Sequence, residues 1–309
     1  MNIKPFLTRL ALGILTLLFT FTIAVGQRYK YAPPWHESPK AAVNFTIDGI
    51  DNVPDLYGDI NDPQLVIFFA GNQYMVAGEV IKAFKKEYPQ YKRVFAETLP
   101  PGKLMKQIEG GSLVIGNLRI TLSADIYTAG RPRVMEKEKL FSRIVPYVKN
   151  HLAIMVYEDN PLNIQSLKDL GREDVRVSMP NPKWEGIGSK IEKAYVKVGG
   201  SALKKQIMKI KVKTGTTILT KIHHRQSPLN ILNKRSDAAP VWLSEVIYHQ
   251  SIHHPVDLVE IPKDQNIFVT YMAGALKTAP HPKAASDFLD FLAGPIARKI
   301  YKNYGFESP

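Results

Sequence analysis

The sequence predicts an α/β protein built on mostly parallel sheet, and three observations carry that expectation. Short apolar runs bounded by turn residues alternate with stretches whose apolar residues recur every four positions, the pattern of strand followed by helix. No cysteine occurs in 309 residues, so the fold must be held by its own core, and a chain of this length can bury one or two. Beyond the N-terminus, no run approaches the roughly 18 apolar residues of a membrane span.

Taken in order, the first 26 residues carry Lys4 and Arg9, an apolar run from Leu10 to Ile23, and small residues at Ala24 and Gly26. Charged start, apolar middle and small-residue end describe a secretory signal peptide over residues 1–26, cleaved before Gln27, with an uncleaved anchor as the alternative. Residues 27–60 lack periodicity and are expected to form an irregular leader; their aspartates do not fit the spacing of a calcium loop. "LVIFFA" is a buried strand, and Met75–Tyr88 places Val76, Val80, Phe84 and Tyr88 on one helix face. The alternation continues through "RVFAETL", helix "GKLMKQIEG", "SLVIG", "ADIYTA", "HLAIMVYE", "VRVSMP", a helix over 189–198, strand "IKVKT", a helix over 228–234 and strand "APVWL". It closes with "VDLVEI", "FVTYMAG" and a long helix over 283–303, which Gly294-Pro295 should bend or interrupt.

Composition narrows the function classes. The formal charge is +13, falling to +11 once Lys4 and Arg9 are removed with the signal, which favours anionic partners. Export and the dispersal of the lysines argue against nucleic acid, because no basic run is interleaved with aromatics. Without cysteine the chain cannot be a lipoprotein. "SALK", "KTG" and "SDA" match penicillin-recognising motifs singly but fail in order and spacing, and Gly-x-Ser-x-Gly, His-Glu-x-x-His and Walker patterns are absent. The chain is therefore expected not to be an enzyme and to need no cofactor.

Six segments then match one family in order. "LVIFFAGNQYMVAGEVIKAFKKEYPQY" resembles the opening strand and helix of type II periplasmic solute-binding proteins, and "LPPGKLMKQIEGG" their second strand-to-helix loop. The likeness runs on through "ADIYTAGRPRVME", "VRVSMPNPKWEGIGSKIEKAYVKVGG", "SDAAPVWLSEV" and "HPKAASDFLDFLAGPIARKIYKNYGFE". Closest in style are the molybdate, tungstate and sulfate receptors of ABC importers. The resemblance implies two lobes, residues 61–147 with 259–309 and residues 148–258, joined by crossings near 146–151 and 256–261. It also implies a monomeric periplasmic protein that delivers a small-molecule anion to importer membrane subunits.

Carried over residue by residue, the resemblance points to Gly71, Asn72 and Gln73 after the first strand and to Pro101 and Gly102 before the next helix. Both are helix starts, which attract anions. Molybdate receptors present small hydroxyl residues there, whereas this chain has "GNQ" and "PPG", with Thr98 as the nearby hydroxyl. The second lobe contributes Trp184, Ile187 and Gly188 at a helix start, and Trp242 in the place of those receptors' cleft tyrosine.

"TKIHHRQS" falls before a further helix facing the cleft and adds His223, His224 and Arg225. On a strand or loop the adjacent histidines point apart, and no zinc spacing appears, so no metal site is expected; His249, His253 and His254 are assigned to a surface loop. Arg225 either grips an oxyanion with its planar fork or makes a surface ion pair. The two tryptophans are cleft or packing residues, and Glu185 and Glu245 would repel an anion if they point inward. Capture of an inorganic oxyanion is the leading expectation; a metal or metal-complex receptor using His223 and His224, and a secreted sensor or colonisation factor on the same fold, are its alternatives.

Overall fold

The computed structural model describes residues 42–47 and 51–309. The expected signal peptide lies outside the described residues, and so does most of the leader. The described part of that leader is not irregular. It forms β1 (Ala42–Phe45) and β2 (Leu56–Asp59), paired antiparallel, and β2 joins the main sheet through β4 (Val94–Leu99). Asp51, Pro54 and Asp55 lie in the connection between the two strands.

Next to β4 lies β3 (Leu65–Ala70), buried throughout, as an interior strand covered on both faces must be. A 3₁₀ turn at Gly71–Gln73 leads into α1 (Tyr74–Glu87), whose Val76, Val80 and Phe84 face the core. Then follow α2 (Pro101–Gly110), a separate hairpin of β5 (Leu113–Ile115) and β6 (Leu118–Ile120), β7 (Ile126–Gly130), and α3 (Arg131–Glu136).

The strand β8 (Phe141–Tyr157) is far longer than the sequence pattern suggests and is shared between two parts of the sheet. Its first part, to His151, pairs with β13 (Phe268–Leu276). From Leu152 onward it pairs with β11 (Ala238–Trp242) on one side and β12 (Val256–Glu260) on the other. The change of partner thus falls at the edge of the interval in which the first crossing is expected. Asn266, in the return from β12 to β13, fixes this point: its amide donates to Leu152 O (2.8 Å) and its oxygen accepts from Leu152 N (3.0 Å).

The second part continues with β9 (Val177–Met179), α4 (Gly186–Lys205), a short α5 (Lys211–Thr214), β10 (Thr217–Leu219), α6 (Gln226–Leu232) and α7 (Leu243–Ser251). The sheet order is β1-β2-β4-β3-β7-β13-β8-β11-β9-β10, with β12 against β8. Pairing is parallel for β3/β4, β3/β7, β9/β10 and β9/β11 and antiparallel elsewhere, so the sheet is mixed rather than mostly parallel. β8 and β13 account for the antiparallel pairs in the middle of the sheet, and the hairpin of β1 with β2, which adds antiparallel to β4, accounts for those at its edge.

Two local expectations meet different outcomes. Gly294-Pro295 does interrupt the last helix, into α8 (Pro282–Ala293) and α9 (Pro295–Asn303), with Gly294 extended as a residue before proline prefers. "IKVKT" is not a strand. It continues a helical run, because Lys211 buries its ammonium against the carbonyls of Leu170 (2.8 Å), Arg172 (2.6 Å) and Val175 (2.5 Å). The alternation of apolar and basic residues there imitates a strand while serving a helix end.

Candidate functional site

A cavity of about 250 Å³ opens where the connections leave the carboxyl ends of the strands, the usual ligand position in α/β sheets. The first part of the chain supplies Gly71 and Asn72 after β3, Pro100, Pro101 and Gly102 after β4, and Gly130, Pro132, Arg133 and Glu136 after β7. Facing them are Trp184, Glu185, Gly186, Ile187 and Lys190 at the start of α4, together with His224 and Trp242. Val269 and Tyr271 of β13 form the floor between them. Tyr271 meets Trp242 edge to face (6.2 Å) and accepts a hydrogen bond from Asn72 Nδ2 (2.8 Å).

Amides at the helix starts are limited in number. Pro101 has no N–H, and Lys103 N donates to Pro100 O (2.8 Å), so Gly102 is the position in the first turn of α2 that can offer one. At α4, Glu185 N donates to Asn181 O (2.9 Å) and Gly188 N to Glu185 O (3.0 Å), which leaves Gly186 and Ile187. Two cations complete the wall. Arg133 on α3 and Lys190 on α4 have no hydrogen-bond or carboxylate partner among the described residues. Burial pushes the Lys190 ammonium below the ordinary lysine value, and Lys193 and Arg133 add to the effect.

The two histidines do not point apart. A helical turn (Gln226 N to His223 O, 3.0 Å; Ser227 N to His224 O, 2.8 Å) replaces the expected extended loop and brings their rings to 4.1 Å between centroids. His224 lies between two buried carboxylates, with Nδ1 3.1 Å from Glu185 Oε2 and Nε2 3.6 Å from Glu245 Oε1. Burial opposes charging this ring, but Glu245 and the hydrogen bond to Glu185 outweigh it and raise its pKa. His223 is driven the other way, well below the ordinary value, by burial and by the neighbouring His224, Arg225 and Lys103. Its Nδ1 accepts from Arg225 N (3.2 Å), so Nε2 carries the proton. Nε2 is buried beside Gly71, where a Cβ would approach it to 2.8 Å.

Other residues singled out from the sequence lie elsewhere. Arg225 does not line the cavity: its guanidinium is buried, donates to Asp51, to Asp55 Oδ1 (2.6 Å) and to Val53 O (2.8 Å), and lies 4.2 Å above the Tyr74 ring. Thr98 donates to Pro54 O (3.2 Å) on the same segment, so it is not the missing cleft hydroxyl. Arg225 and Thr98 therefore strap the β1–β2 connection onto the body of the protein. Gln73 is locked between Tyr147 and Tyr301. Gly188 packs where a Cβ would meet Pro180 O at 2.5 Å. His249 is buried on α7, with Nδ1 2.7 Å from His254 Nδ1, rather than on a surface loop. Sequence reasoning missed Arg133, Lys190 and Tyr271, although "GRPR", a basic residue at a helix start after a strand, offers the same signal as "PPG".

A cavity lined from two sides by strand-to-helix connections, holding aromatic walls and unpaired cations, defines a protein that binds a small solute. The chain belongs to the bacterial extracellular solute-binding protein family, whose profile matches residues 65–307. A Haemophilus influenzae chain named for a binding role is 25% identical over 245 residues, 77% of this chain and 91% of that one. Among solved structures, the periplasmic molybdate-binding protein of Azotobacter vinelandii superposes with a TM-score of 0.64 at 16% identity, covering 79% of this chain and 99% of its own. The sulfate-binding protein SubI of Mycobacterium tuberculosis superposes with a TM-score of 0.61 at 19% identity, covering 79% and 86%. At these identities the structures establish the fold alone. No helix among the described residues is long and apolar enough to cross a membrane.

Proposed function

We propose that this chain is the periplasmic solute-capturing component of an ABC importer and that its solute is a small oxyanion. The observation that carries the reading is the pair Arg133 and Lys190, two cations without internal partners lining one cavity with the Gly102, Gly186 and Ile187 helix starts. An oxyanion there gains charge-assisted hydrogen bonds from groups that otherwise face each other unneutralised. Residues 61–147 with 259–309 and residues 148–258 act as lobes that close on it, because the cavity walls come from both. The neighbours named for molybdate and sulfate support the class.

The test is thermal unfolding against a panel of oxyanions, organic anions and divalent metals, with solution scattering on any ligand found. A ligand at 100 times its Kd should add about 2.7 kcal/mol of stability, and saturation should reduce the radius of gyration. Arg133→Ala or Lys190→Ala should weaken binding by about 1.5 to 3 kcal/mol. Stabilisation by no anion in the panel would sink the reading.

A second reading rests on Glu185, His223 and His224, whose ligand atoms lie within 4.8 Å of one another and could hold a metal ion. The proton on His223 Nε2 opposes it, since a metal at that nitrogen would shift the proton to Nδ1, where Arg225 N–H already points. Stabilisation by zinc but by no anion in the same panel would favour it.

A further inference from the structure

The anion cavity contains a buried carboxylate, and a carboxylate is an unusual wall for an anion. Glu185 is only 3% exposed, lines the cavity, and immediately precedes the Gly186 and Ile187 amides at the start of α4. It is an acceptor in the contacts it makes: His224 Nδ1 lies 3.1 Å from Oε2, and Thr220 Oγ1 donates to Oε1 at 3.3 Å. Together these use about half of the roughly four lone-pair positions of a carboxylate. What remains on the cavity side can only accept a hydrogen bond. On the same wall, His224 Nε2 is buried without a hydrogen-bond partner and faces Glu245 Oε1 at 3.6 Å, so His224 is held between two carboxylates.

An oxyanion seated on the α4 amides therefore meets the Glu185 carboxylate. If every oxygen of the anion is ionised, as in sulfate or molybdate, the contact places acceptor against acceptor in a site shielded from water. If one oxygen carries a hydrogen, that O–H donates to Glu185 and the conflict becomes a bond. We infer, resting on the oxyanion reading above, that the solute brings its own hydroxyl donor: hydrogen phosphate, or an organic phosphate with a free hydroxyl, rather than a fully ionised tetrahedral anion.

Trp184, half exposed, and Trp242 stand ready to cover an organic substituent.

The test uses the full chain in titration calorimetry at pH 8 with four probes: inorganic phosphate, sulfate, molybdate and glycerol 3-phosphate. Phosphate and sulfate are then both essentially dianions of similar size, so charge does not separate them. Phosphate or glycerol 3-phosphate should bind about tenfold or more tighter than sulfate and molybdate, the scale of discrimination expected when a buried polar group is matched in one ligand and opposed in another. Which of the two binds tighter distinguishes an inorganic from an organic solute. Sulfate or molybdate binding as tightly as either phosphate would overturn the donor requirement while leaving the oxyanion reading in place. Binding of none of the four would overturn the oxyanion reading, and this inference with it. Glu185→Gln, whose amide can donate, should raise sulfate affinity and shrink the ratio; a merely structural role for Glu185 would lower both affinities and leave the ratio unchanged. If that variant does not fold, the wild-type panel decides alone.

Discussion

Glu97 shows how far a single buried side chain can govern the response of this protein to pH. It sits on β4 with no exposure, Gln107 Nε2 donates to one oxygen (2.9 Å), and its other oxygen has no partner. Burial pushes its pKa up to about 7, with the Gln107 bond opposing. The folded state therefore holds this proton more tightly than the unfolded chain, so the associated stability is present below pH 4.5 and is lost as pH rises through 7. The loss amounts to about 3 kcal/mol. Denaturant unfolding of wild type and Glu97→Gln at pH 5 and pH 8 should show the variant gaining on wild type by that order; parallel stabilities at the two values would contradict it. Among site residues, legibility followed sequence distance. Gly71, Asn72, Pro101, Gly102, Trp184, Ile187, His224 and Trp242 meet at the cavity because each lies beside a strand-to-helix junction visible in the sequence. Arg225 has the same local setting, but its partners Asp51 and Asp55 lie 174 and 170 residues away and no local pattern records them.

Among the elements, strands with one apolar run were legible and those that change partner were not. The sequence pattern shows β3, β4, β7, β11 and β13 because each is buried along most of its length. The first half of β8, "FSRIVPYVKN", mixes buried and exposed residues around Pro146 and carries no clean period. The helices α3 and α7 were likewise hidden, since each follows its strand with no residue between them. The turning point of β8 depends on one side chain: Asn266 holds Leu152 by both its N–H and its C=O and also donates to Ile261 O (3.2 Å). Asn266→Ala would leave these buried backbone groups unpaired and should cost about 3 kcal/mol in equilibrium unfolding. A cost below about 1 kcal/mol, the ordinary scale for one surface hydrogen bond, would show that water or a shifted backbone replaces the amide.

At the scale of the molecule, the order of segments was enough to identify the family, while the ligand was not, since helix starts serve many anions and the decisive side chains face one another only across the cavity. The strap described above bears on a different matter, the minimum chain that can fold by itself. The family match begins at residue 65, yet the buried Arg225 guanidinium inside that match is neutralised by Asp51 and Asp55 outside it. A chain begun at residue 60 would strand that charge and should lose about 3 to 5 kcal/mol, measurable as a lowered denaturant midpoint. Arg225→Met in the shortened chain should recover much of the loss, and equal stability of the two shortened chains would show that the guanidinium finds other partners. The arginine and its two aspartates therefore stand or fall together: removing either side alone leaves a buried charge uncompensated.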